Sequence, residues 1–495
     1  MNIFKDRFSE IKKASEPLYK SPKSVQETIE ILKISESGIF EVADGKYSKT
    51  YRFSDVNYVT RSEDEQEVFF QRYCRCLNSF DCTFKITVNN KNKDMDVLRN
   101  EVMLKYRNDG FDKMRESYNR IIEEKILEGR QGIEQERYLT ITIERKNFEE
   151  AKAQFATIEA SMFRSFAELG SKLTPLTGNE RLKILHDYYR LGREDEFNFD
   201  IKNGRITGTD FRNEICNTRI KYHPDYFEDE GKVGRVLFIK KYPTYLSDRF
   251  FTELTFLPVH SVTSVDVVPV PKDLTMKMLQ KKYLGIESDI IKQQRTRNRN
   301  NDFSSDISYA TRQKKKDIEE IMNNVRENDE SIYYVSVTMI VMADDRNELE
   351  SICETVDSIA KGAGCAVDTC MYKQREAVNT TLPIGVRQIE TMRTMLTQSL
   401  AVLMPFNVQE LCDRNGIYYG VNQISKNIIV GNRKKLLNGN GFIFGVSGAG
   451  KSFQAKMEMG SVLLSTDDNV IAVDPMNGAK RSYLKRVGAI FIKLY

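Results

Sequence analysis

Close to the end of this 495-residue sequence, Gly445-Val446-Ser447-Gly448-Ala449-Gly450-Lys451-Ser452 satisfies the pattern GxxxxGK[ST] at every constrained position. GFIFG before it reads as a short apolar strand and FQAKMEMGSVLL after it as a helix, so strand, loop and helix follow in the order such a loop needs. Glycines let the loop wrap until successive backbone N–H groups point inward as an anion nest, and the new helix adds its positive end. Phosphates are the natural occupant. The reading assigns ATP to Gly445, Val446, Ser447, Gly448, Ala449, Gly450, Lys451, Ser452 and Phe453. Lys451 reaches the β and γ phosphates as the catalytic residue, and the Ser452 hydroxyl ligates a bridging Mg2+ ion.

The position of this loop constrains everything else. NVIAVD at 469–474 reads as the next strand, with Asp474 at its end near the nucleotide but not as the magnesium ligand, and GAIFIKL at 488–494 as a third. The sequence stops at Tyr495, whereas a parallel sheet covered on both faces takes ~100 residues or more after its first strand. The expectation is therefore an incomplete RecA-like domain with no appreciable ATPase activity of its own.

Ahead of the loop the chain is long enough for further cores, since single cores stop growing near ~250–300 residues. Hydrophobic residues make up 40% and charged residues 29%. The 75 basic against 71 acidic side chains leave a net charge of +4, too small to argue for a nucleic-acid binder. The N-terminal MNIFKDRFSEIKKASEP lacks the apolar core of a secretory signal. The longest apolar run, 332–343, falls short of the ~20 residues of a membrane span. The 8 cysteines are too sparse for a disulfide framework and point to a reduced, cytoplasmic setting. Cys74, Cys76 and Cys82 read as buried thiols, because their spacing is not that of zinc pairs and His186, His223 and His260 lie far off in sequence.

Periodicity divides the chain into three. Residues 1–175 form an α+β unit with strands at 38–42, 47–53, 82–88 and 138–144 and helices at 62–78 and 148–169. Residues 176–395 form a second α/β unit with a helix from 177, strands at 233–242, 261–270, 332–343 and 365–372, and a helix at 345–361. A charged helical insertion covers about 276–330, where Lys292, Arg295, Arg297 and Arg299 read as a solvated linker between two helices. Residues 396–495 are the incomplete P-loop domain. The fold class is thus α/β, a mixed α+β front followed by the start of a RecA-like NTPase.

Several segments together resemble the conjugal-transfer ATPases of type IV secretion systems: LPIG at 382–385, TQSLAVLMPF at 397–406, GIYYGVNQISKNII at 416–429, NGNGFIFGVSGAGKSF at 438–453 and VIAVDP at 470–475. Residues 38–175 are similar to that family's front domain, notably YRFSDVNYVTRSEDEQEVFFQRYCRCLNSF. The resemblance implies an ATP-driven motor subunit, hexameric in its full-length form, whose partners are the secretion channel and inner-membrane components. DNA is engaged indirectly, and attachment to the inner face of the membrane is peripheral, through partners. The sequence departs from the family at 474–480, where no acid follows Asp474. Two other functions fit the same residues: an inactive docking subunit of the secretion machine, or another DNA-pumping P-loop ATPase.

Overall fold

The computed structural model describes residues 22, 24–92, 99–100, 102–128, 133–243, 245–299, 309–327, 329–413, 416–423, 427–473 and 490–492. Its centre is a 13-stranded sheet. In chain order the strands are β1 (Lys33–Ile34), β2 (Ile39–Ala43), β3 (Lys46–Phe53), β4 (Thr83–Asn92), β5 (Ile133–Glu144) and β6 (Leu173–Pro175). They continue with β7 (Ile220–Tyr222), β8 (Phe227–Asp229), β9 (Lys232–Lys241), β10 (Ser261–Pro269), β11 (Ile332–Ala343), β12 (Ala366–Thr369) and β13 (Arg393–Leu396). The spatial order is β1-β2-β3-β5-β4-β10-β11-β9-β8-β7, with β6 on β3, β12 on β9 and β13 on β11. All of these pairings are antiparallel. Strands from before and after residue 175 therefore share one sheet, joined where β4 pairs β10.

Side chains alternate between the faces of a strand, and here the two faces differ in chemistry. On one, Tyr51, Phe53, Phe84, Ile86, Leu139, Ile141, Val265, Val267, Val335 and Val337 form an apolar layer. The helices in chain order are α1 (Glu63–Asn78), α2 (Asp112–Glu128), α3 (Phe148–Glu168), α4 (Gly178–Tyr189), α5 (Lys272–Arg299), α6 (Tyr309–Glu327) and α7 (Arg346–Gly362), with shorter ones between; α1, α3 and α7 pack on this layer together with the short helices Arg249–Thr255 and Thr397–Ala401. On the other face, register places Thr50, Thr140, Lys85, Asp266 and Ser336 side by side across five strands. All five are buried.

What buries them is α8 (Gln374–Thr381) and the irregular chain after it. Lys85 Nζ donates to the carbonyls of Thr380, of Leu382 at 3.4 Å and of Val386 at 3.1 Å. Arg181 of α4 donates to those of Pro383 at 3.2 Å and Ile384 at 3.3 Å, and Arg387 pairs with Asp266 at 2.8 Å. Gly385 has φ +99°, and a Cβ there would stand 2.6 Å from Ser48 Cβ, so the strap passes too close to the sheet for any other residue.

Local signals place the helices. Ser62 with Glu65 and Thr177 with Glu180 close capping boxes on α1 and α4, and Asp345 accepts from the N–H groups of Asn347 and Glu348 at the start of α7. The strand expected over 365–372 is shorter, because Tyr372 turns the backbone to φ 60° and pairing with β9 ends at Thr369. The basic run from Lys292 lies within α5 and not in a linker, since the helix continues to Arg299 before the chain enters residues outside the described set. Strong helix formers such as Gln293, Gln294 and Arg295 carry it through. Among the described residues no helix is long and apolar enough to cross a membrane.

Burial pushes the Lys85 ammonium down to about 8, with Asp266 opposing that shift. The unfolded chain thus binds more protons than the folded one between about pH 8 and 10.4, and the lysine's contribution to stability rises with pH across that window. Lys85→Met leaves three carbonyls without their donor and is expected to destabilise the fold by about 2–4 kcal/mol. In thermal melts the deficit relative to wild type should widen from pH 7.5 to 10; a constant or shrinking deficit would show that Lys85 is not held as described.

Candidate functional site

Past the sheet, the chain is handed to the glycine-rich loop by a second set of side-chain grips. Asp55, two residues past β3, accepts from the N–H groups of Asn407 at 2.8 Å and Val408 at 3.2 Å, and the buried Arg137 pairs with it at 2.6 Å while donating to Pro405 O at 2.7 Å. The hairpin of β14 (Ile417–Val421) and β15 (Ile428–Gly431) follows, then the loop, α9 (Lys451–Ser465), and a parallel pair of β16 (Ile471–Val473) with β17 (Ile490–Ile492).

The loop has the backbone that its glycines allow. Gly448 and Gly450 take φ 84° and 85°, and Gly450 is the N-cap of α9, so Lys451 and Ser452 open the helix. A Cβ on Gly445 would meet Ala449 Cβ and Lys451 Cγ at 3.3 Å. Lys451 folds back, its Nζ donating to the carbonyls of Gly445 at 2.6 Å and Val446 at 2.8 Å. Val446, Ser447, Gly448, Ala449, Ser452 and Phe453 are exposed. The first N–H groups of any α-helix have no intrahelical acceptor, and here they lie next to the Lys451 ammonium and the Ser452 hydroxyl at the start of α9. That donor set fits a polyphosphate, with the Ser452 hydroxyl free to turn toward a cation.

The expected strand at 441–445 is not formed. The segment has no regular structure and pairs with no described strand, and Phe442 and Phe444 stand 83% and 88% exposed with their rings stacked 5.9 Å apart. An apolar run becomes a central strand only when a ladder partner lies on either side, and here neither is present among the described residues. Asp474 and the loop at 475–480 lie outside the described residues.

Behind the loop is a cluster that sequence reasoning missed. Tyr419 of β14 donates its hydroxyl to Glu458 of α9 at 2.8 Å, and Arg433 bonds both, with Nε on the Tyr419 oxygen at 3.1 Å and a terminal nitrogen on Glu458 at 2.6 Å. The guanidinium lies so close to the backbone before the loop that a Cβ on Gly441 would meet it at 2.8 Å. Burial first, then the bond to Glu458, raises the Tyr419 hydroxyl above its ordinary range. These three side chains fix the helix, the hairpin and the approach to the loop relative to one another. GIYYG draws attention to the tyrosines, but nothing in the sequence pairs them with Arg433 and Glu458.

Elsewhere, Cys74 and Cys76 are buried in the apolar core and burial pushes both thiols up to about 12, well away from reactive thiolates. The half-buried Cys82 is pushed up to about 12 in the same way. No group of three or more His, Cys, Asp or Glu able to hold a metal is present among the described residues.

Glu458→Ala leaves Arg433 and Tyr419 without their shared acceptor and should destabilise the α9 region by about 1–2 kcal/mol, read as faster amide exchange along α9. Glu458→Gln keeps an acceptor and should cost less than about 1 kcal/mol; equal exchange in all three proteins would show the cluster to be idle. A search of protein families finds none that matches this chain, and a search of curated proteins finds no match either.

Proposed function

We propose that the loop 445–452 binds Mg-ATP and that the chain is the ATP-binding motor subunit of a conjugative type IV secretion machine. The observation that carries the nucleotide assignment is the placing of Lys451 at the first turn of α9, behind two left-handed glycines and within reach of its own loop carbonyls. In the ATP-bound form Lys451 exchanges the carbonyls of Gly445 and Val446 for β and γ phosphate oxygens, trading two neutral acceptors for charged ones. The backbone N–H groups of the loop and first turn hold the same oxygens. The Ser452 hydroxyl would be a ligand for magnesium, which would supply positive charge against the phosphates. Positioning and charge stabilisation are most of what phosphoryl transfer asks of a protein.

The secretion assignment rests on the segments around the loop that resemble conjugal-transfer ATPases. The parallel pairing of β16 and β17 supports a RecA-like order after α9, since antiparallel strands would not suit a βαβ succession. On this reading the front sheet is the body that docks to the secretion channel and inner-membrane partners, and hexamers form around the nucleotide sites.

Calorimetry with Mg-ATP tests the binding reading. Wild type should bind, and Lys451→Ala should bind at least about 10-fold more weakly, as the loss of one charge-assisted hydrogen-bond donor predicts. Equal affinities would sink the assignment.

A further inference from the structure

The helix that carries the loop is gripped at its far end by the front of the chain. α9 runs 15 residues, about 22 Å at 1.5 Å per residue, with Lys451 at one end. At the other end Arg115 of α2, only 1% exposed, donates Nε to Leu464 O at 3.2 Å. Arg107 donates to Ser465 O at 2.9 Å and pairs with Asp467 at 2.7 Å. Two carboxylates fix Arg115 in place, Asp109 at 2.5 and 2.6 Å and Asp112 at 2.7 Å. Leu464, Leu463 and Met459 pack against Leu104, Phe111 and Met114 around this contact. The gripping segment, 104–115, belongs to the excursion that leaves the sheet at β4 and returns at β5.

The last carbonyls of a helix lack intrahelical partners and form its negative end, so cations there satisfy and stabilise it. Phosphate at the first turn acts on the same helix from its positive end. Arg115 is a buried cation whose bonds go to α9 and to two acids that orient it, and among the described residues it makes none to the sheet. A buried guanidinium is costly to desolvate, and here its geometry is spent on the far end of the loop's own helix.

We propose that Arg115 is a positioning residue for the nucleotide site, and that loop occupancy is felt at segment 104–115. The inference rests on the reading of 445–452 as a nucleotide site. When Lys451 leaves its loop carbonyls for phosphate, the first turn of α9 tightens, and the helix carries that change as a stiff rod to the Arg115 contact. Linkage is reciprocal: if occupancy firms the clamp, an intact clamp raises affinity by the same factor.

The test uses the full chain. Mg-ATP is titrated calorimetrically into wild type, Arg115→Ala, Arg115→Lys, Arg107→Ala and Lys451→Ala, and amide exchange over 104–115 is measured with and without Mg-ATP. We expect Mg-ATP to slow exchange over 104–115 in wild type but not in Lys451→Ala. Arg115→Ala should bind about 5- to 10-fold more weakly, with partial rescue by Arg115→Lys and a smaller loss in Arg107→Ala. Wild type that binds Mg-ATP with no change in exchange over 104–115, and an Arg115→Ala affinity within about twofold of wild type, would overturn the proposal while leaving the site intact. Absence of Mg-ATP binding by wild type would overturn the site reading, and this inference with it. Should Arg115→Ala fail to fold, the wild-type exchange and Arg107→Ala decide between the same outcomes.

Discussion

The structure depends on how seven consecutive carbonyls, those of residues 380–386, are satisfied away from water. None of them joins a ladder, yet each accepts from a side chain: Lys85 takes Thr380, Leu382 and Val386, Ser264 takes Thr381, Thr50 and Arg181 take Pro383, Ser48 and Arg181 take Ile384, and Thr142 takes Gly385. A buried polar backbone without partners is costly, so a strap crossing a sheet needs a face that donates. This sheet presents one, built from every second residue of β3, β4, β5 and β10. Two buried cations supply the strongest donors, and carbonyl dipoles with Asp266 offset their desolvation.

The same device recurs where the chain leaves the sheet. Asp55 and Arg137 serve the backbone of 405–408 as Lys85 and Arg181 serve 380–386, with the donor and acceptor roles divided between an acid and a base. In both places irregular chain is held by side chains from the strands and from the segments packed beside them. Such a route can carry a loop to a defined place without giving the connecting segment any regular structure.

Much of this fold is legible in the sequence and the decisive part is not. The alternation in CTFKITV, YLTITIE and SVTSVDVV gives the strands to within a few residues, and the Ser62-Glu65 and Thr177-Glu180 pairs give two helix starts. Alternation normally means that the polar half is wet. Here Lys85, Thr140 and Ser264 are covered by residues more than a hundred positions away, a relation that periodicity does not carry. The loop was legible through its glycines, whose left-handed backbone the pattern requires. GFIFG was not, because whether an apolar run pairs is decided by its neighbours. The contact between the helix that follows β4 and α9 was not legible either, since Arg115 and Leu464 share no spacing that a pattern would reveal.

The sheet and the loop differ in how their side chains are held, and that contrast bears on how the loop would work. In the sheet, cations and hydroxyls are locked by several partners each and almost none of their surface is wet. In the loop every residue from 441 to 450 is exposed, and among the described residues Lys451 donates to the carbonyls of its own loop, at Gly445 and Val446. Contacts of that kind are easily exchanged, because a charged oxygen outcompetes a neutral carbonyl for an ammonium at little structural cost. A ligand-binding loop drawn from the least stable part of a chain needs a firm mount to keep its geometry. α9 is itself held, by Arg433 and Tyr419 on Glu458 along its length and by Arg115 at its end, so the exposed loop is mounted on a helix fixed at two places.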